Sequence, residues 1–589
     1  MNMNANTKNI KGVFQNTFLM VIPYYQRRYV WKEENWDRFF KDMTETVTNT
    51  SHYFLGALIL KDVAPSQDET IKGISNKSIV VDGQQRLTTL AIFMKILHYL
   101  NDDAQRNDFV AYYLQQDSLH TPIIQHNMED RPAFSQIMAL DSLAPHSGSL
   151  SRLWQAYNFF LSKLKEYKGE GNSLRVLLTS IYARVNFVVI TLDSNDDEQQ
   201  IFDTLNSLGV DLTTDELLKN YLYGVNDKQL YLNTWMKIFD TDEARNYWGT
   251  TASSSRQSKR DTVLDRFLNA FVKLKMWDFK DDLTNSDKKE FVKKENAYKA
   301  CKAFHDRFGM KKIDLANEII EYAKIYQKNF DSKFLDKRIP QAGSIERISV
   351  YIQSTQAYVA APYILYVLKN IQDQSKCNEI FTLLEIYLVR RAVNHSSNNN
   401  YSDLFGENLI GNHIKSYNEL KDYIDKRAHG STLEMPSSVD LETNIPLKPI
   451  DTNVAKTVLY LYETKIHGSE QFPYTYNQCE SDQLWPTPTK YSENTWPIPA
   501  GKNSATAKDK IRQLGNVFLL APITDDKDRK NVKAVQNKAF SEKKFVYKEK
   551  SKGIGTQNVL DGKKGWTFGD ILERSKSLAK AIDGIWSTE

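Results

Sequence analysis

Cysteine is scarce in this sequence of 589 residues. The three cysteines, Cys301, Cys377 and Cys479, lie far apart along the chain. No two of them have the spacing of zinc ligands, and three such residues do not suggest the disulfide framework of a small secreted domain. The pattern fits the reducing cytoplasm, so we expect the protein to be cytoplasmic.

Long hydrophobic runs are also missing. The longest apolar stretch, around AYVAAPYILYVL, is too short for a membrane-spanning helix, which needs about 20 residues. The first residues, MNMNANTKNIKGVFQN, are polar and contain no apolar signal-peptide core. The sequence therefore predicts no membrane contact and no secretion.

A strong overall charge is absent too, since the formal net charge is +4. Its distribution is uneven: residues 501–589 carry 19 Lys and Arg against 11 Asp and Glu, which leaves a net charge of −4 on residues 1–500. A basic segment on a slightly acidic body predicts contact with a polyanion at that end. Many Lys-rich surfaces bind nothing, so the charge alone is a weak indication.

What the sequence does contain is a polar cluster where a strand meets a helix, in IVVDGQQRLTTLAIFMKIL (79–97). The first turn of a helix suits an anion, and an arginine beside it binds phosphate with two hydrogen bonds. A carboxylate such as Asp82 repels phosphate unless it holds a metal or positions a water. The simpler interpretation makes Asp82-Gly83 a turn and Thr88 a helix cap, and these residues alone favour it.

Hydrophobic periodicity predicts an α/β region followed by a helical one. We expect neighbouring strands over 53–60 and 78–81, a helix over 88–100 and a further strand over 183–192. After this last strand the pattern indicates helix, glycine turn and helix, with Thr213 or Thr214 as the cap of the second helix.

The spacing of apolar residues predicts helices over almost all of residues 260–425. Residues 427–449 have turn residues and little periodicity, which predicts a linker or an irregular insertion. Beyond them we expect a helix in AKTVLYLYETKI, a region rich in Pro and Trp, a basic helix and a closing helix.

Four motifs stand in the order found in one known family. They are IPYYQRRYVW (22–31), YFLGALIL (53–60), VDGQQRLTTL (81–90) and IFDTLNSLGVDLTTDELLKN (201–220). Together they resemble GmrSD-type modification-dependent restriction endonucleases, which act against phage with modified DNA. LGNVFLL (514–520) and NVKAVQNKAFSEKKFVY (531–547) extend the resemblance to the C-terminal part.

The resemblance implies a mixed α/β and α fold in three domains. It predicts a ParB/sulfiredoxin-like domain over 1–230 that binds or hydrolyses nucleotide, a helical domain and linker over 231–450, and an HNH-like α+β nuclease domain of the ββα-metal type over 451–589. The cofactors it implies are a nucleoside triphosphate and Mg²⁺ or Mn²⁺.

By this resemblance the nucleotide pocket combines the motifs YQR and DGQQR. Its predicted members are Gln26, Arg27, Asp82, Gln84, Gln85, Arg86 and Asn206. The two arginines clamp phosphate, a glutamine orients a water or a base edge, and Asp82 holds a metal or the attacking water. The alternative for Asp82 and Arg86 is a structural salt bridge at a turn. For Tyr24, Tyr29 and Trp31, a core role and a base-stacking role are equally favoured.

The nuclease end departs from the family pattern. An HNH-type site needs a histidine that deprotonates water, and in this family it lies in a His-x-x-Pro motif. The matching segment here is DQLWP, with Gln483 at the histidine position, and glutamine cannot act as a general base. His467, the single histidine of residues 451–589, is expected at an exposed helix end.

Other members of the nuclease motif are present. We expect Asn516 and Asn531 to serve the catalytic site with Gln483, although Asn516 also suits a brace of a turn. The predicted DNA-binding face comprises Lys533, Lys538, Lys543, Lys544 and Lys548. A solvated helix face explains these lysines equally simply.

Three functions remain open from the sequence. The first is an anti-phage factor that recognises DNA, expected to be modified phage DNA, in a nucleotide-dependent way, with its own nuclease weak or inactive and a partner defence protein or a second copy completing it. The second is an active HNH-type endonuclease. The third is a non-enzymatic, nucleotide-gated subunit of a defence complex.

Overall fold

The computed structural model describes residues 4–14, 18–63, 76–114, 121–148, 151–192, 213–224, 227–251, 262–427, 430–483, 504–520 and 567–588. The chain forms two compact units, Met1–Lys237 and Ile238–Glu589. The first mixes a sheet with helices and the second is mostly helical, which confirms a mixed α/β and α protein. The division into three domains stays a prediction. In the described part of the chain, no helix is long and apolar enough to cross a membrane.

The first unit contains a six-stranded mixed sheet in the order β1-β6-β3-β4-β2-β5. The strands are β1 (Asn4–Asn9), β2 (Phe18–Val21), β3 (Tyr53–Val63), β4 (Asn76–Asp82), β5 (Ile124–Gln125) and β6 (Val185–Leu192). β3 pairs antiparallel with β4 and parallel with β6, whereas β4 pairs parallel with β2. The three predicted strands are confirmed, with bounds that differ by one to three residues.

Helices surround this sheet. They are α1 (Ile10–Val13), α2 (Glu33–Thr48), α3 (Gln84–Tyr99), α4 (Asp103–Tyr113), α5 (Arg131–Met138), α6 (Arg152–Gly169), α7 (Leu174–Arg184), α8 (Thr214–Leu222) and α9 (Lys228–Asn233). The N-cap of α8 is Thr213, whose N–H donates to Glu216 Oε2 over 3.0 Å, so the predicted cap is confirmed.

The apolar core of the first unit lies between the sheet and helices α2, α3 and α6. Phe39, Phe93 and Phe160, one from each helix, meet with ring centroids 5.4 to 5.7 Å apart. Alternate residues of a strand point to opposite faces of the sheet, so Val80 joins this core while Val81 joins a smaller cluster that Leu217 of α8 covers. Both faces of the central strands are therefore covered.

In its described residues, the second unit is built from helices and one short two-stranded antiparallel sheet. Its helices are α10 (Asp242–Trp248), α11 (Val263–Lys275), α12 (Asn285–Phe291), α13 (Ala297–Asp306), α14 (Lys312–Asn329), α15 (Ile345–Thr355), α16 (Ala361–Asn370), α17 (Gln374–Val393), α18 (Tyr401–Asp403), α19 (Leu409–Gly411), α20 (Tyr417–Asp425), α21 (Ser438–Asn444), α22 (Thr452–Gln471), α23 (Ser504–Ile511) and α24 (Phe568–Ile585). The predicted helical region is confirmed, but 427–449 is not wholly irregular because it contains α21.

In the two-stranded sheet, β7 (Glu480–Gln483) pairs antiparallel with β8 (Val517–Leu520). Helix α22 packs against both strands, and α24 packs against the 3₁₀ turn Leu514–Asn516 that precedes β8. These elements place the predicted nuclease residues Gln483 and Asn516 in one part of the second unit.

Candidate functional site

The junction between β4 and α3 is turned by Gly83. Its φ of +96° lies in the left-handed region that suits glycine, and a Cβ at this position would lie 3.0 Å from Leu58. Helix α3 starts at Gln84, so the predicted start at residue 88 is wrong. Thr88 is buried and donates to Gln84 O over 2.7 Å, so its predicted capping role is wrong too. A glycine N-cap offers no side chain to the first-turn N–H groups, which leaves them suited to an anion.

The two glutamines of DGQQR hold the loop that carries YQR. Gln85 Oε1 accepts a hydrogen bond from Val30 N over 2.9 Å, and its Nε2 donates to Arg28 O over 3.1 Å. Gln84 Nε2 donates to Arg27 O over 3.2 Å. These amide groups contact the backbone of residues 22–31, so their observed role is to fix this loop on the start of α3.

Gln26, which is part of the loop, also helps to fix it in place, through hydrogen bonds to β4. Its side chain is buried and its Nε2 donates to the carbonyls of Val80 and Val81, over 2.7 and 3.1 Å. Asn127 Nδ2 donates to the Gln26 carbonyl over 3.4 Å, and Asp130 Oδ2 accepts from Tyr29 N over 2.6 Å. The loop is therefore fastened by polar side chains on both flanks.

Sequence reasoning missed the segment that supplies Asn127 and Asp130. It also contains His126, which is buried and whose Nε2 lies 3.1 Å from Thr88 Oγ1. Burial lowers the pKa of His126 to about 3, so this imidazole is neutral near pH 7. The dense polar run QHNMED, between two apolar segments, was the available signal.

The charged residues at the junction are more open than the amides. Arg86 Nη2 donates to Asp82 Oδ2 over 3.1 Å, and the two side chains are 25% and 40% exposed. Arg27 Nη1 lies 3.8 Å from Glu216 Oε2. The salt bridge between Asp82 and Arg86, the simpler interpretation of these two residues, is present. It makes one contact to the guanidinium and leaves both groups accessible to a ligand.

Gly56 makes room for Arg86, a second feature that the sequence reasoning did not identify. It lies at a register shift in β3, with φ +122°, and a Cβ there would come within 1.7 Å of Arg86 Nη1. The guanidinium thus rests against bare backbone of the neighbouring strand. A lone glycine inside the apolar run YFLGALIL was the signal, because a glycine in a strand often marks a close approach.

The aromatic residues of the loop are placed differently. Tyr29 is buried, its hydroxyl lies 2.7 Å from Thr89 Oγ1, and Trp36 Nε1 donates to it. Trp31 is half-buried and packs against the same core. Tyr24 donates to Gly224 O over 2.5 Å. The structure favours the core role over base stacking for Tyr29, the most buried of the three.

In the second unit, Gln483 ends β7 opposite Val517, and its side chain is partly exposed. Asn516 is fully buried and its Nδ2 donates to Ile511 O over 2.7 Å. Arg574 of α24 donates to the carbonyls of Gly515 and Val517. The bond to Ile511 O makes Asn516 a brace of this turn, and its catalytic role stays a prediction.

His467 lies near the end of α22 with its side chain 38% exposed, in line with the expected exposed helix end. It lies four residues before the end of α22, and its Nε2 is 3.4 Å from Glu463 Oε2 on the preceding turn. The carboxylate is 5% exposed, and Oε2 makes no hydrogen bond within the described residues. Burial raises the pKa of Glu463 to about 7, against the opposing effect of Arg574. A carboxyl that titrates near neutrality therefore faces a histidine here.

Several predicted site residues lie outside the described residues. They are Asn206, Asn531, Lys533, Lys538, Lys543, Lys544 and Lys548. Among the described residues, no group of three or more His, Cys, Asp or Glu side chains is placed to hold a metal ion.

Comparison with protein families gives one match. Residues 8–223 match the family model described as the N-terminal domain of the GmrSD restriction endonuclease. The match covers the six-stranded sheet from Lys8 onward and helices α1 to α8, and so includes the β4–α3 junction. The N-terminal part of the chain thus carries a domain of this kind. A comparison with curated protein sequences gives no significant match.

Proposed function

We propose that the protein is an anti-phage defence factor of the GmrSD type that recognises DNA under the control of a bound nucleotide and whose own nuclease is weak or inactive. The family match over residues 8–223 carries this proposal. In it the first unit is a ParB/sulfiredoxin-like sensor domain and the end of the second unit is HNH-like.

The nucleotide binds at the β4–α3 junction. Arg86 and Arg27 contact the phosphates, and the first-turn N–H groups of α3 add neutral donors. In this proposal Asp82 positions a water. The glutamines act indirectly, because their amides already hold the loop that carries Arg27.

Nucleotide titration tests this site. Arg86→Ala removes a charged contact worth about 1.5–3 kcal/mol, so the affinity for a labelled ATP, GTP or CTP should fall roughly ten- to a hundredfold. Arg152→Ala, at an exposed arginine of the same unit, is the matched control and should leave affinity unchanged. Equal affinity of wild type and Arg86→Ala would remove Arg86 from the site.

DNA contact is proposed for the basic C-terminal segment. Binding should weaken steeply with salt because phosphate contacts release counterions. Charge reversal at Lys538, Lys543 and Lys544 should weaken binding with little dependence on DNA sequence. Binding that survives both high salt and the triple change would place the contact elsewhere and contradict this part of the proposal.

One observation favours an active nuclease as a second candidate. A histidine paired with a carboxylate is a common general base, and His467 and Glu463 form such a pair on the helix that packs against β7 and β8. In this alternative His467 replaces the missing histidine at position 483.

Cleavage assays separate the two candidates on plain and modified DNA with nucleotide and Mg²⁺. If the site is degenerate, wild type cuts poorly and Gln483→His raises cleavage. If His467 is the base, wild type cuts and His467→Gln lowers the rate about a hundred- to ten-thousandfold. No cleavage by any variant, together with intact nucleotide binding, would indicate a non-enzymatic subunit of a defence complex.

A further inference from the structure

A cavity of about 220 Å³ lies within the second unit, between α10, α11, α14 and α15. This volume is below the roughly 300–1,000 Å³ typical of sites for drug-sized ligands. The cavity therefore suits a single planar ring system better than a large molecule. It is separate from the β4–α3 junction, which lies in the first unit.

Aromatic rings form one wall of the cavity. Tyr326 and Phe330 stack on each other with centroids 4.6 Å apart and planes 19° apart, and both are buried. Tyr358 is half-buried, and its hydroxyl donates to Gln353 Oε1 over 2.6 Å. Because its hydroxyl is fixed in this way, the ring of Tyr358 has a defined orientation at the cavity.

Polar groups complete the lining. The Arg266 guanidinium stacks on the Tyr358 ring, with Cζ 4.4 Å from the ring centroid. Thr250, Thr251, Ser332 and the exposed Gln356 are also among the lining residues. Gln356 Nε2 donates to Gln353 O over 2.7 Å, which leaves its Oε1 as the acceptor offered to a ligand, and Thr250 Oγ1 donates to Asn246 O over 2.8 Å. Among the described residues, no Asp or Glu lines the cavity and Arg266 is the one charged lining residue.

We propose that this cavity binds a nucleobase, presented either by a free mononucleotide or by an unpaired base of a nucleic acid. Bases stack on aromatic rings and on guanidinium planes, and they form hydrogen bonds with amide and hydroxyl groups along their edges. The positive charge of Arg266 favours a base that is attached to a phosphate group. The inference rests on this lining and not on the function proposed above.

Gln356 provides an unusually clean test. Its φ of +60° is in the left-handed region at the end of α15, where glycine is the preferred residue. Gln356→Gly therefore removes a lining side chain while suiting the backbone, and thermal stability should not fall. Arg266→Met keeps an unbranched apolar stem against Tyr358 but removes the charge.

Binding is measured on the full chain with the Arg86→Ala change, which should weaken the proposed site of the first unit roughly ten- to a hundredfold. Labelled AMP, dCMP and a 12-nucleotide oligothymidine are titrated. Arg266→Met should weaken binding at least tenfold, and Gln356→Gly several-fold. Arg338→Met, at an exposed arginine of the same unit, is the matched control and should have no effect.

The two sources of a base are distinguished by the binding that Arg266→Met removes, because the basic C-terminal segment is also expected to bind the oligonucleotide. Loss mainly of oligonucleotide binding indicates a nucleic acid, and loss mainly of mononucleotide binding indicates a free nucleotide. Three outcomes overturn the proposal. They are no binding of any probe, binding unchanged by both Arg266→Met and Gln356→Gly, and displacement of bound AMP by methyl glucoside, which would make the cavity a sugar site. Because Arg86→Ala is present throughout, failure here leaves the nucleotide site of the first unit untouched.

Discussion

At the β4–α3 junction, the position of the Arg86 side chain depends directly on Gly56. Glycine at position 56 tolerates φ +122° and leaves the space that the guanidinium fills. The position of Arg86 therefore depends on a residue that has no side chain.

Replacement of Gly56 tests this dependence. Gly56→Ala should destabilise the first unit by about 1–3 kcal/mol, because alanine is strained at this φ and its Cβ meets Arg86. Adding Arg86→Ala relieves the contact but not the strain, so the two changes together should cost less than their sum. Urea unfolding of the four proteins gives the coupling. Strict additivity would show that Arg86 does not rest on Gly56.

A second prediction at the residue scale is that Glu463 makes the stability of the protein depend on pH. Its pKa is about 7 in the folded protein and about 4.3 in an unfolded chain, so the folded state binds the proton more tightly. Stability from this group is complete below pH 4.3 and is lost as the pH rises to 7, by on the order of 3 kcal/mol. Glu463→Gln should flatten the curve of unfolding free energy over this range. Glu379→Gln, at an exposed glutamate, should not.

At the scale of elements, the loop over 22–31 and the start of α3 form one structural piece. Gln85 joins them with two hydrogen bonds and Gln84 with a third. A segment with no regular hydrogen-bonding pattern of its own is ordered in this way by side chains of a neighbouring helix.

Removing Gln85 should release this loop. Gln85→Ala leaves Val30 N–H and Arg28 C=O without these partners, which costs about 1–3 kcal/mol for each group that stays buried. Amide hydrogen exchange should speed up at residues 28–31 while the core of α3 stays protected. Gln136→Ala, at an exposed glutamine of α5, is the control. Unchanged exchange at Val30 would contradict the role given to Gln85.

The sequence predicted elements well where apolar periodicity was strong. The strands over 53–60, 78–81 and 183–192 and the long helices of residues 260–425 were all expected. It misplaced the start of α3 because Gln84, Gln85 and Arg86 interrupt the apolar pattern, although their backbone is helical. It could not foresee that Gln26 and Asn127 meet, since 101 residues separate them and only tertiary packing joins them.

At the scale of the whole molecule, a buried ion pair connects parts of the second unit that are far apart in sequence. Arg347 and Glu385 are fully buried and make two contacts of 2.7 Å, from Nε and Nη2. Burial opposes ionisation of Glu385, but the Arg347 guanidinium overcomes it and lowers the pKa of the carboxyl. Trp586, after α24, donates to the same carboxylate over 2.9 Å and is itself fully buried.

Substitution of Trp586 should therefore destabilise the whole second unit. Trp586→Ala removes a large buried ring, at about 3–5 kcal/mol. Trp586→Phe keeps most of the packing and loses the hydrogen bond to Glu385, so its effect should be smaller. Thermal unfolding of the full chain measures both. An alanine variant as stable as wild type would show that α24 contributes little to the unit.

Gln26, Gln84 and Gln85 hold the loop over 22–31 in place, and this role decides what the same residues would mean in another chain. Identity at these three positions reports a shared way of folding the loop and says little about which ligand is bound. If the junction binds the proposed nucleotide, the positions that would inform about ligand choice are those of Arg27, Asp82 and Arg86, whose charged ends are partly exposed. Two chains with the same glutamines and different charges at these positions should therefore share a backbone and differ in what they recognise.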